Sequence, residues 1–321
     1  LYLPLFFAST ALTVGASWLL FNLLKRSADA IVDAGAIRAS SLGSFQFEST
    51  RMWGSVGFVV ATLIFGFFVD YFGQSIILYG GATIVVLVFL SGLPLWSELS
   101  KSTGKSVELN DLGEFLQAKD FMLPFALITT AFCLITASHA CMYVYFSLYL
   151  EALGWSASAI SFAWNLGVCS EILMFIFFRH FERKLGLQTT FMISCAITAS
   201  RWFLLGFSND SSLILALQLL HSFSFGGCYL CAAKLVPRIL PNHLADRGQG
   251  VMIAIGFGIG SFAGRLLFGF LADGTSSYLE VQQLFISAGY IAVIATALSV
   301  MFRMKKLKVA PESVSDDQAP A

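Results

Sequence analysis

The sequence predicts an all-α protein, a polytopic bundle of membrane-spanning helices. Three observations predict it. First, 57% of the 321 residues are hydrophobic, 12% are charged and mean hydropathy is +0.78, whereas a soluble domain carries about 25% charged residues. Second, the apolar residues fall into nine runs that approach or exceed the ~20 residues needed to cross a bilayer. Third, the basic residues between those runs all lie on one side.

The nine runs cover roughly 3–24, 52–72, 75–96, 121–150, 156–178, 187–207, 212–236, 248–272 and 281–302. Sixteen Lys and Arg residues fall on one side of them, from Lys25 and Arg26 through Lys101, Arg183 and Arg238 to Lys308. The opposite loops, at Gly73, Gly154, Asn209 and Gly274, hold none. The positive-inside rule therefore places the basic side and the C-terminus in the cytoplasm. A cysteine at Ser102 and one at Ser276 are expected to react from opposite faces of the membrane. Labelling of both from outside would overturn this topology.

Between the sixth-last and seventh-last runs, 97–120 is polar and then amphipathic, with Leu109, Leu112, Phe115 and Leu116 on one helical face behind Asn110 or Asp111 as cap. It reads as a cytoplasmic linker between two bundles, 1–96 and 121–303. The tail at 304–321 is polar and expected to be disordered. The chain opens on Leu1 inside an apolar run and is expected to be N-terminally incomplete.

A weak repeat supports the division. Arg51-Met-Trp-Gly leads into Gly66-Phe-Phe-Val-Asp70, and Arg247-Gly-Gln-Gly leads into Gly269-Phe-Leu-Ala-Asp273. Both start with Arg inside and end with Gly-Phe-x-x-Asp outside, six spans apart. A parallel six-span repeat is the pattern of a transporter built from two six-helix halves. The nine runs are then spans four to twelve of twelve.

Inside the spans stand His139, Glu171, Arg201, His221, Lys234 and Arg265. Lys234 and Arg265 are near enough to the ends to snorkel. His139 and His221 lie about 16 and 14 Å from the outer ends of their helices, and Glu171 about 10 Å from the inner end. Groups at such depth face a bundle interior or a wet cavity. A single His is also explained by polar packing, and Glu171 with Arg201 by a structural ion pair. Arg201 stands about 10 Å above Glu171 along the membrane normal, so a link through His, Tyr or water is required. Trp164, Gly167 and Glu171 share one helical face, as do His139 and Tyr143. A carboxylate, two imidazoles, a guanidinium and aromatic walls suit an organic solute with polar handles. Glu171, Arg201, His221, His139, Trp164 and Tyr143 are the candidate substrate and proton-coupling residues.

Other motifs have plainer readings. Gly256, Gly260 and Gly264 recur at the spacing of close helix packing, and no strand precedes them to make a dinucleotide fold. Cys228-x-x-Cys231 lies mid-span and reads as packing. There is no metal-ligand spacing, nucleotide loop or nucleophile elbow, so neither cofactor, metal nor enzymatic activity is expected. The formal net charge is zero and no nucleic-acid partner is expected. The partners are a small organic solute, H+ and the lipid bilayer, and the protein is expected to be a monomer.

The segments Thr50-Arg51-Met52-Trp53-Gly54-Ser55, "LGWSASAISFAWNLGVCSEILMF" and "LQLLHSFSFG" resemble the major facilitator superfamily, and within it the phenylpropionic acid permease-like and facilitator-associated group. The resemblance covers nearly the whole chain. It implies alternating access by two bundles and transport of a small solute. Glu171, Arg201 and His221 are also similar in type, helix and spacing to residues of the oligosaccharide:proton symporters. That similarity implies substrate binding for Glu171, and binding plus proton coupling for Arg201 and His221. Those symporters carry a Glu one turn after the His, where this chain has Ser224 and Phe225. Coupling is then either absent or carried by Glu171. The rival expectation is a transport-inactive homologue acting as a membrane receptor or sensor.

Overall fold

The computed structural model describes residues 7, 10, 13–17, 20, 21, 47–92, 119–272 and 277–304. Most of the first apolar run, the linker at 97–118, Asp273 and the tail beyond Met304 lie outside the described residues. Every element is helical: α1 (Phe47–Phe72), α2 (Ser75–Gly92), α3 (Lys119–Ala152), α4 (Ala157–Leu185), α5 (Leu187–Phe207), α6 (Ser211–Leu219), α7 (Cys228–Ile239), α8 (Asn242–Ile253), α9 (Ser261–Leu271) and α10 (Tyr278–Met304). No strand occurs among the described residues. Among the described residues six segments are long and apolar enough to cross a membrane, with α6–α7 and α8–α9 each counting as one.

The helix limits follow local chemistry. α3 ends where Gly154 adopts φ 84°, a left-handed conformation that only glycine takes without strain. The Trp155 N–H returns to Leu150 O (3.0 Å) and closes that end. α6 starts behind Asp210, whose carboxylate accepts from the Leu213 N–H at 2.7 Å. The runs at 212–236 and 248–272 read as continuous helices, but each contains a π-helical turn, at Ser222–Gly227 and at Ala254–Gly260. The sequences there are Ser-Phe-Ser-Phe-Gly-Gly and Ala-Ile-Gly-Phe-Gly-Ile-Gly. Glycine relaxes the backbone limits that hold an α-helix, and one extra residue per turn rotates the following face by about 100°.

The chain forms two compact units, one of 1–107 with 156–165 and one of 108–155 with 166–321. In the first, α1 and α2 pack through Phe65, whose ring covers Gly80. In the second, α3, α5 and α10 share a core. The Phe285 ring stacks on Trp202 (6.1 Å) and meets Tyr149 edge-on (5.7 Å). Tyr149 donates to Ser208 O, and Gln282 Nε2 donates to the same carbonyl at 3.1 Å.

α9 and the turn before it lie on α3, as the glycine spacing predicted. A Cβ on Gly260 would sit 2.4 Å from Thr136 Oγ1 and 2.5 Å from Cys133 O, and one on Gly264 only 2.4 Å from Ala137 O. Leu at Gly264 is expected to lose at least about 1–3 kcal/mol, because backbone must move. Folded yield and melting in detergent measure it. Leu at Gly258, which has nothing within 4 Å, serves as the neutral control. Equal behaviour of the two variants would contradict the packing.

Candidate functional site

Five of the six candidate residues lie in the second unit and form one continuous cluster. Arg201 is at its centre, 0% exposed on α5. All five guanidinium N–H groups have acceptors. Nε donates to Leu217 O (2.9 Å), Nη1 to His221 Nδ1 (3.1 Å) and Ser224 Oγ (3.2 Å), and Nη2 to Gln218 Oε1 (2.8 Å) and Met142 Sδ (3.3 Å). A buried guanidinium is tolerable only when so satisfied. The Trp202 ring lies 4.8 Å from its Cζ and holds it from the α5 side.

Arg201 fixes the tautomer of His221. A guanidinium only donates, so Nδ1 of His221 is the acceptor and its proton is on Nε2. That Nε2 is 3.9 Å from Glu171 Oε2. The distance exceeds a direct hydrogen bond but lies within ion-pair range. The expected link between Glu171 and Arg201 is therefore His221 itself.

Two glycines allow this approach. Gly167 faces His221, with room for a Cβ 3.6 Å from the His221 Cβ, and Gly226 faces Glu171, where a Cβ would be 3.2 Å from its Cγ. Gly226 is in the π turn that starts directly after His221. The turn thus places His221 toward Arg201 and Gly226 toward Glu171. π turns recur at functional sites for such local re-aiming.

His139 takes the opposite tautomer. Its Nδ1 donates to Ile135 O at 2.8 Å, so Nε2 is the acceptor. That Nε2 is buried and has no hydrogen-bond partner among the described residues. The ring meets Trp202 edge-on at 4.9 Å and lies 5.7 Å from His221 and 6.5 Å from Tyr143. Phe225 joins the group, stacked on His221 (5.4 Å, 8° between planes) and edge-on to Tyr143 (6.5 Å).

Access is graded. Arg201 and His139 are fully buried and His221 is 5% exposed, but Tyr143 is 42% exposed and the Glu171 side chain 18%. The reachable groups are a carboxylate, a phenol and the Phe225 face. Trp164, half-buried, belongs to the first unit.

Sequence reasoning missed Gln218, Phe225, Trp202 and Met142, and treated Ser224 only as a missing carboxylate. Ser224 in fact accepts from Arg201. The signal was present: Gln218, His221 and Ser224 follow at intervals of three in an apolar run, a polar stripe along one face. Lys234, read as a residue near enough to the helix end to snorkel, has an ion-pair partner there. Its Nζ is 2.6 Å from Glu182 Oε2, and Arg238 holds the other carboxylate oxygen at 2.9 Å. All six cysteines are free thiols. Among the described residues no His, Cys, Asp or Glu group could hold a metal ion.

A family model described as the MFS_1 like family matches residues 1–281. The "Probable 3-phenylpropionic acid transporter" of Escherichia coli (strain K12) is 28% identical over 259 residues, covering 78% of this chain and 65% of the relative. The maltose permease of Geobacillus stearothermophilus is 23% identical, covering 78% of this chain and 63% of the relative. The chain thus spans just under two thirds of the length of these two relatives. The crystal structure of a mutant of the nucleoside transporter NupG superposes with a TM-score of 0.78 at 16% identity, covering 94% of this chain and 80% of that one. The major facilitator fold expected from the sequence is therefore present. With six helices among the described residues long and apolar enough to cross a membrane, this is an integral, multi-pass membrane protein.

Proposed function

The chain belongs to the MFS_1 like family, and from that premise we propose that it is a secondary active transporter of a small organic solute, driven by protons and working by alternating access. On this reading 1–96 and 121–303 contribute two helical bundles, joined by a cytoplasmic linker at 97–120, and the C-terminus is cytoplasmic. The single observation that carries the proposal is the graded path from partly exposed Glu171 through His221 to fully buried, fully saturated Arg201.

Each member has a role. Glu171 receives hydrogen-bond donors of the solute, while Tyr143 and Phe225 supply a flat apolar wall. His221 stands between the carboxylate and the guanidinium with its Nε2 proton toward Glu171, so a proton gained or lost at Glu171 is felt at once by His221. Arg201 does not need the solute for its own satisfaction, so its role is to position His221. His139 and Trp202 back the cluster. Trp164 stands two turns before Glu171 on α4.

The test is uptake into sealed vesicles carrying the full chain, with 3-phenylpropionate, maltose and uridine as radiolabelled probes and a proton gradient imposed or collapsed. Accumulation of a probe that follows the gradient is the expected result. Binding of a probe without accumulation would favour a receptor. Accumulation that ignores the gradient would remove proton coupling and leave transport.

A further inference from the structure

Arg265 on α9 takes no part in the cluster around Arg201. Its position in the sequence explains it as a residue that reaches for the outer surface, but the helix contacts give it another place. α9 and the turn before it run along α3 in one register. Gly256 lies against Phe132, Gly260 against Thr136 and Gly264 against Ala140, and the Tyr145 hydroxyl donates to Phe268 O at 3.2 Å. Arg265, next after Gly264, therefore stands at the height of Tyr143, between the Ala140 and Tyr145 contacts. Each of the two is seven residues from the outer end of its apolar run, or about 10 Å below it.

Direction around the helix agrees. The residues opposite the α3 contact are Phe262, Leu266 and Phe270, exposed apolar side chains that form a lipid face. Arg265 is about 100° round from Gly264, on the flank between the two faces. Phe257, two turns earlier on the same flank, has its ring 6.0 Å from Phe225 and edge-on to Phe132 at 5.3 Å. On α3, Tyr143 lies three turns after Phe132 on that same side and meets Phe225 edge-on. The Arg265 guanidinium also acts electrostatically on the Tyr143 phenol, as Glu171 and Arg201 do.

Arg265 differs from Arg201 in what it can offer. Arg201 has all its donors held by the protein and none for a solute. Arg265 is exposed and, among the described residues, has no hydrogen bond or ion pair. A guanidinium matches a carboxylate with two parallel N–H···O bonds. Glu171 is about 10 Å from the inner end of its span, so in a hydrocarbon core of about 30 Å the two charges are roughly 10 Å apart along the normal. Between them lie the aromatic rings. We propose that Arg265 is a further binding residue of the solute site, taking a carboxylate at the outer end of the Tyr143–Phe225–Phe257 surface. The solute is then an organic acid with a flat apolar body, its charge toward Arg265 and its hydrogen-bond donors toward Glu171. This rests on the transporter reading above.

The first of two tests needs no solute. In the full chain with Cys133 and Cys169 replaced by Ser, the other four cysteines are buried, and Tyr143→Cys puts a thiol on the exposed side of the surface. In nanodiscs, where both membrane faces are open, its rate with an anionic sulfonate methanethiosulfonate is compared with its rate with a cationic trimethylammonium one. Arg265→Gln is expected to shift the ratio toward the cationic reagent at least several-fold, and Arg265→Lys to leave it near the parent value. An unchanged ratio means that Arg265 points to lipid headgroups and overturns the proposal, as does a thiol that reacts with neither reagent. The second test compares uptake of 3-phenylpropionate and its neutral amide, 3-phenylpropanamide, in sealed vesicles. The parent is expected to prefer the acid by about tenfold or more, as one charge-assisted hydrogen bond gives. Arg265→Gln is expected to lose that preference while still taking up the amide. A parent that takes up both without preference, or a preference that survives Arg265→Gln, overturns the proposal. A shifted labelling ratio with no uptake of either compound by the parent supports an anion site at Arg265 and counts against the transporter reading.

Discussion

Replacing Arg201 by Ala is expected to be the most destabilising single change in the chain. It removes a guanidinium whose five donors are all used. The acceptors left behind include Leu217 O, Gln218 Oε1 and His221 Nδ1, in residues that are all buried. Loss of one member of a buried charged network amounts to about 3–5 kcal/mol, or on the order of 10 °C in melting temperature for a domain of this size. The measurement is thermal unfolding in detergent. Arg201→Lys keeps the charge but offers three donors without the planar fork, and is expected to recover less than half of the loss. If instead Arg201 grips the solute directly, Arg201→Lys should melt with the parent and lose only affinity. That result would move Arg201 from the framework into the binding surface.

Glu171→Gln is expected to abolish gradient-driven accumulation while leaving the fold intact. The side chain is only partly buried and sits 3.9 Å from its nearest imidazole nitrogen, so an amide of the same shape fits and keeps an acceptor. What it cannot do is titrate. If Glu171 carries the proton, the variant still binds and exchanges solute across vesicles, but accumulation against a gradient falls to the level of equilibration at every pH. If Glu171 only binds solute, affinity falls and gradient dependence survives. Unchanged accumulation would leave neither role, and Glu171 would then serve the structure through His221. Exchange and accumulation measured on the same vesicles separate these cases.

The two changes differ because of position along one path. Arg201 is enclosed by α3, α5, α6 and the segment after α6, so its loss is expected to be read in stability. Glu171 is partly exposed, so on the proposed reading its loss is expected to be read in coupling. His221 lies between, and its replacement is expected to register in both.

The membrane class and the places of the helices were legible in the sequence because bilayer thickness sets a minimum length for a span; nine runs were expected to cross, and among the described residues six helices are long and apolar enough to do so. Each of the eight runs from 52–72 onward has a helix at its place, most of the first lies outside the described residues, and α5 has the limits predicted for it, 187–207. The small-residue spacing at Gly256, Gly260 and Gly264 was equally legible, since close helix approach needs one residue type at one interval. Glu171, Arg201, His221 and His139 were legible as unusual, because ionisable groups are scarce in lipid-length runs. Their connection was not. Hydropathy reports that a residue is out of place, but not which helices face each other or at what rotation. The π turn at Ser222–Gly227 changes that rotation by one residue, and no apolar pattern announces it. Only the packed structure decided that His221 joins Arg201 to Glu171 and that Ser224 is a partner in its own right. Each of these depends on hydrogen-bond geometry across helices, which periodicity along one chain does not encode.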